Sequence, residues 1–450
     1  MRTLSQTARD LAAGSSARAL VEECLVRIAD PAGEGRRVFL KVHAETARAT
    51  ADHVDHLRRR GAAPSRLAGI PVSIKDLFDI AGDVTTSASI ALKDASPATA
   101  DAVAVARLRA AGLIPIGRTN MTEFAFTGLG INPHYDTPRN PYDRATGRLP
   151  GGSSSGAAVS VTDGMAIVAL GTDTGGSCRI PAALCGIVGY KPTAKRIPLA
   201  GVLPLSFSLD SVGPLAPTVA CCAAIDAVMA GEPGEEITPF PLRGLRLAAP
   251  HAVVLDDLDD HVSRRYEAAL SALRAAGAVI SDIPLGELKE IATLNARGGF
   301  AASEAYAWHR RLIEAKGALY DPRVLMRIVR GRDIDAADYI DLVRGRADLI
   351  RRVAAVTRDF DALVMPTVPI TAPPLAELEA EDRYRKVNLL LLRNPTVANM
   401  LDRCAISVPC HLPGEPPVGL TLVGEHGGDR RLFEIAAAVE TAVSPVMRHP

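Results

Sequence analysis

Between Ala68 and Gly117 the sequence changes period twice, and that change constrains the fold more than any other feature. "AGIPVSIKD" places Ile70, Val72 and Ile74 in a short apolar run that ends in charge at Lys75, the pattern of a buried strand. "TADAVAVARLRAAG" then reads as a helix stopped at Gly112, and "LIPIG" as the next strand. The alternation returns in "LRLAAP", a helix from His261 to Ala276 and "AVISDI", then in "DALVMP", "AISVP" and "GLTLVG" before a final helix from Arg430. Strands separated by helices predict an α/β fold, with a mostly parallel or mixed sheet covered by helices. Two further helices are expected ahead of it, one carrying Leu20, Val21, Cys24, Leu25 and Ile28, the other spanning Glu45 to Arg60. Residues 285–352 read as a mostly helical cap. No repeat and no clear linker divides the chain, so residues 1–450 are expected to form a single domain.

Charge narrows the partners. Lys plus Arg and Asp plus Glu each number 51, so no global field favours nucleic acid or an anionic membrane, and a small-molecule ligand fits better. The first residues lack the apolar core of a signal peptide and no run is long enough to cross a bilayer, which makes the cytoplasm the expected location. Seven cysteines without a CxxC pair are expected to be reduced core thiols. Ten histidines without ligand spacing give a metal site no support.

Two glycine-serine turns flank a short apolar run, "RLPGGSSSGAAVS" before it and "GTDTGGSCRIPA" after it. Glycine and serine together suit a flexible linker. "GSSSG" also satisfies the GxSxG pattern of a nucleophile elbow at Ser154, but the approach, broken by Pro141 and Pro150, offers no strand to carry it. A phosphate-binding loop fails because no GK[ST] follows. "MAIVALG", in contrast, is a good strand, and after it Gly175 and Gly176 allow amides to turn inward as an anion-binding nest beside Ser177. A serine nucleophile needs a base. Lysine serves when burial holds it neutral, and Lys75 stands out because it ends a buried strand. Lys191, Lys289, Lys316 and Lys386 are expected in loops or on polar helix faces.

At this point the chain resembles the amidase signature family, serine hydrolases with a Ser-cisSer-Lys triad on a mixed α/β sheet. The resemblance runs through "LAGIPVSIKD", "GRTNMTEFAFTGLGINPHYDTPRNPYD", "LPGGSSSGAAVSV" and "ALGTDTGGSCRIPAALCGIVGYKPT", a signature core of about residues 65–220, and resumes weakly at "PPVGLTLVG". It implies Ser177 as nucleophile, Ser153 as a bridging serine after a cis peptide bond, and Lys75 as base, with the amides of Thr174, Gly175, Gly176 and Ser177 as oxyanion hole. Ser154 and Asp173 would support them, Asp173 either by orienting the serines or by capping its turn. Arg179 is expected to pair within the scaffold, Cys178 to pack, and His134 and His309 to be structural or on the surface. Three departures stand out: Ser155 where the family run has glycine, Asp136 where glycine is common, and Glu415-Pro416-Pro417 in place of a Gly-Leu-Pro run.

The resemblance implies an amidase that cleaves a carboxamide or related C–N bond through an acyl-enzyme, without metal or organic cofactor. Two other readings are the A subunit of a glutamine-dependent tRNA amidotransferase and an inactive scaffold relative. The substrate is not legible, and a homodimer is only the default expectation for assembly.

Overall fold

The structure, a computed structural model, describes residues 1–234 and 236–443. Eleven strands form one sheet among the described residues: β1 Phe39–Val42, β2 Pro71–Lys75, β3 Ile114–Thr119, β4 Val168–Asp173, β5 Val188–Lys191, β6 Ser211–Ala216, β7 Arg246–Pro250, β8 Val279–Ile283, β9 Ala362–Pro366, β10 Ala405–Pro409 and β11 Gly419–Val423. Their order is β1-β3-β2-β4-β6-β5-β10-β11-β9-β7-β8. The sheet is mixed. β3, β2 and β4 pair in parallel towards one end, and β9, β7 and β8 at the other, while the strands between them are antiparallel.

Every residue of β2, β3 and β4 is buried, so both faces of this part of the sheet are covered, as parallel strands require. Ile74, at the centre of the β2 run, is completely buried; truncating such a side chain to Ala costs about 2–5 kcal/mol. The strands read from apolar runs are all present, and the helices Ala17–Ala29, Ala44–Arg59, Val103–Ala110, Asp260–Ala275 and Asp429–Val443 follow the expected periodicity. The first of them starts at Ser16, whose side chain accepts from the Ala19 amide, an ordinary hydroxyl cap.

Three strands escaped the sequence. β1 and β5 have only four residues each, and β6 carries Gly213 and Pro214 in its middle, residues that normally argue against an interior strand. One consequence is a correction: Lys191 lies in neither a loop nor a polar helix face but ends β5, almost fully buried.

Residues 285–352 contribute the helices Glu290–Leu294, Gly299–Lys316 and Pro322–Val329 and most of Ala336–Thr357. Leu288, Ile291, Phe300 and Leu342 from this region pack with Leu363 and Met365 of β9 in one apolar cluster. This helical region therefore packs on the sheet through a shared apolar cluster. No helix among the described residues is long and apolar enough to cross a membrane.

Candidate active site

The ends of β2 and β4 bring the two serine turns and the lysine together. Lys75 is the last residue of β2 and has no exposed surface. Its Nζ donates to Ser153 Oγ and to Thr172 Oγ1, both at 2.8 Å. Burial pushes its ammonium down to about 8, against the pull of the Asp173 and Asp210 carboxylates. A buried lysine near neutrality can exchange a proton with a hydroxyl it touches.

Ser153 follows a cis peptide bond from Gly152. A Cβ on Gly152 would stand 2.4 Å from the Gly130 amide nitrogen, so only glycine fits there. Helix Ser155–Thr162 begins directly after, with no strand ahead of it, which disposes of the elbow geometry at Ser154. Ser154 instead ties the two turns: its amide donates to the Ser177 carbonyl at 3.3 Å and its hydroxyl to the Thr172 carbonyl at 3.4 Å. Ser155 is buried without a hydrogen-bond partner for its hydroxyl among the described residues.

Ser177 lies after β4, between that strand and helix Arg179–Cys185. Unlike Lys75 and Ser153, it lines a cavity of about 610 Å³, as do Thr174 and Gly175. Its hydroxyl makes no hydrogen bond to the described residues, Ser153 included. The chain turns sharply at Gly176, where φ is +123° and a Cβ would stand 2.5 Å from Pro395 Cβ, so glycine is required.

Asp173 does more than one job. Its carboxylate accepts from the amides of Gly176 at 2.9 Å and Cys178 at 3.2 Å, and it is paired with Arg179 at 2.9 Å and bonded by Asn399 Nδ2 at 2.9 Å. Burial opposes its charge, but Arg179 overrides burial and holds the carboxyl at about 2. It is thus an anionic post around which the Ser177 turn is wound. The Gly176 amide is already committed to it, whereas no turn or side-chain acceptor among the described residues takes the amides of Gly175 and Ser177.

Arg179 pairs within the scaffold as expected, and burial pushes the Cys178 thiol well up, so it packs as a neutral group. All seven cysteines are buried and free. His134 meets Glu123 at 3.0 Å, and the fully buried His309 meets the Tyr320 hydroxyl at 2.9 Å. Asp136, where glycine was the common residue, has φ +68°, a conformation that Asp tolerates better than most side chains. Sequence reasoning missed Thr172, Asn399 and Asp210. Asp210 is buried, accepts from Thr174 Oγ1 at 2.5 Å and from the Leu205 and Ser206 amides, and is pushed up to about 6 by burial. The one available signal was its place immediately before β6, a strand that itself went unread.

The amidase family profile matches residues 19–433. The chain belongs to the amidase signature family. Among curated relatives it is similar to a 2-amino-5-chloromuconic acid deaminase from Comamonas testosteroni, 38% identical, with 88% of this chain and 86% of that one covered. It is also 34% identical to the A subunit of a glutamyl-tRNA(Gln) amidotransferase from Chloroflexus aggregans, over 100% of this chain and 98% of that one. A crystal structure of an amidase superimposes with a TM-score of 0.89 at 31% identity, covering 98% of this chain and all of the other. Enzymes of this amidase family act on C–N bonds, and the cavity beside Ser177 is where this chain places its family turn.

Proposed function

We propose that the protein is a serine amidohydrolase in which Ser177 is the nucleophile, Ser153 the proton bridge and Lys75 the base. The observation that carries this reading is the 2.8 Å contact between the buried Lys75 Nζ and Ser153 Oγ, in a turn that the Ser154 amide ties to the carbonyl of Ser177, the serine of the two turns that lines the cavity. Ser177 Oγ attacks the amide carbonyl while its proton passes to Ser153 and the Ser153 proton passes to neutral Lys75. The carbonyl oxygen gains the charge, and the amides of Thr174, Gly175 and Ser177 receive it. The Gly176 amide, assigned to the same hole on family resemblance, instead anchors the turn to Asp173. The relay returns a proton to the leaving nitrogen, the C–N bond breaks, and water then cleaves the acyl-enzyme by the same proton path. Ser154 and Asp173 are positioning residues.

Ser177→Ala is expected to reduce ammonia release from primary amides by on the order of 10⁴ or more while leaving the denaturant midpoint unchanged. A folded variant with near-normal turnover would sink the assignment. The identity with an amidotransferase component along the entire chain favours a second reading, a glutaminase working for partner chains. Glutamine hydrolysis that appears only on co-expression with a partner would select it.

A further inference from the structure

The cavity beside Ser177 is uneven in charge although the chain as a whole is neutral. Four cations line it, Arg327, Arg330, Lys386 and Arg393, against one carboxylate, Asp257. Asp257 is opposite Arg393 at 3.6 Å, so those two offset each other. Arg327, Arg330 and Lys386 have no carboxylate partner among the described residues; Arg327 and Arg330 each spend one donor on a backbone carbonyl, and the Arg327 guanidinium lies over the Tyr384 ring, 5.3 Å from its centre, a face contact that takes none of its donors. The same cavity wall carries a built polar group. Asn388 is only 4% exposed, and its Oδ1 is fixed by the Gly128 amide at 2.9 Å. That bond turns Nδ2, which has no partner among the described residues, away from Gly128 on a side chain that lines the cavity. Much of the remaining wall, including Leu205, Leu288 and Met400, is apolar, and low-dielectric walls focus the field of the cations.

We infer that the amide substrate carries a carboxylate on its non-reacting end, held by Arg327 and Arg330 with Asn388 Nδ2 as a neutral donor on the way to Ser177. Guanidinium groups suit a carboxylate because their donors are arranged as a fork. The inference rests on the amidohydrolase reading above for its substrate, but its test does not depend on catalysis.

Binding of succinamate, glutaramate and adipamate to the Ser177→Ala protein is compared by calorimetry with that of butanamide, pentanamide and hexanamide. At low salt, at least one of the acids is expected to bind about ten-fold tighter than its neutral counterpart, a difference of roughly 1.4 kcal/mol. The ratio should fall toward one in Arg327→Gln/Arg330→Gln and at ionic strength near 1 M, where the screening length is about 3 Å. Arg385→Gln, an exposed position on the helix that carries Asn388 but outside the cavity wall, should keep it. Equal affinities, no binding of the acids, or a preference that survives the double variant would overturn the carboxylate anchor and leave the amidohydrolase reading intact. Retained turnover in Ser177→Ala would instead remove the serine reading while the binding ratios stay interpretable.

Discussion

Lys75 and Lys191 end two strands of one sheet, both are buried, and burial pushes both down to about 8. Their partners differ. Lys75 donates to two hydroxyls, Ser153 and Thr172, and a hydroxyl can return a proton. Lys191 donates to the carbonyl oxygens of Pro192 and Arg403, both at 2.9 Å, and a carbonyl only accepts. A lowered pKa therefore marks a candidate base only when the nitrogen touches a group able to take part in proton transfer. Lys191 instead fastens β5 to the turn that leads into β10.

The largest effect should come from replacing each lysine by an apolar side chain of similar length. Lys75→Met is expected to cost on the order of 10⁴ in kcat, the upper range for a general base. Lys191→Met should leave kcat within a few-fold but lower stability by about 1–3 kcal/mol, because two buried carbonyls lose their donor. Steady-state kinetics and denaturant midpoints on both proteins read this out. A folded Lys191 variant as inactive as the Lys75 variant would break the distinction.

A smaller effect is expected with pH. Lys75 can accept a proton only after losing its own, so kcat/KM should climb as pH rises and level off above about 8. The slope below that point should be about ten-fold per unit for a single group. Since Lys191 is lowered to a similar value, the profile should persist in Lys191→Met; its disappearance there would assign the limb to the wrong lysine. Smallest is Thr172→Val, which removes one of the two hydroxyls that aim Nζ. Loss of one hydrogen bond, worth about 1 kcal/mol, should lower kcat by roughly five- to ten-fold, with recovery in Thr172→Ser. Unchanged kcat would reduce Thr172 to a packing residue.

Most of the candidate site was legible because its parts are local. The apolar alternation that ends at Lys75, the strand "MAIVALG" and the glycines after it are consecutive residues, and their periods and turn chemistry do not depend on distant chain. The same reading failed at Lys191 because β5 and β6 lack such a period: "VGYK" is too short to show one, and Pro214 contradicts its own strand. Those strands exist because β4 and β10 flank the pair they form and supply their partners, a cause that lies outside their own residues.

By itself the sequence determined the α/β architecture, the signature turns and which residue types stand in them. Tertiary structure alone decided which neighbours those residues meet: Thr172 beside Lys75 across 97 positions, Asn399 on Asp173 across 226. It also decided that the Gly176 amide is bound to Asp173 and that three cations without a carboxylate partner among the described residues stand around the cavity. Period and propensity act within a few residues, whereas burial and electrostatic coupling depend on distance in space, which the chain fixes only by folding.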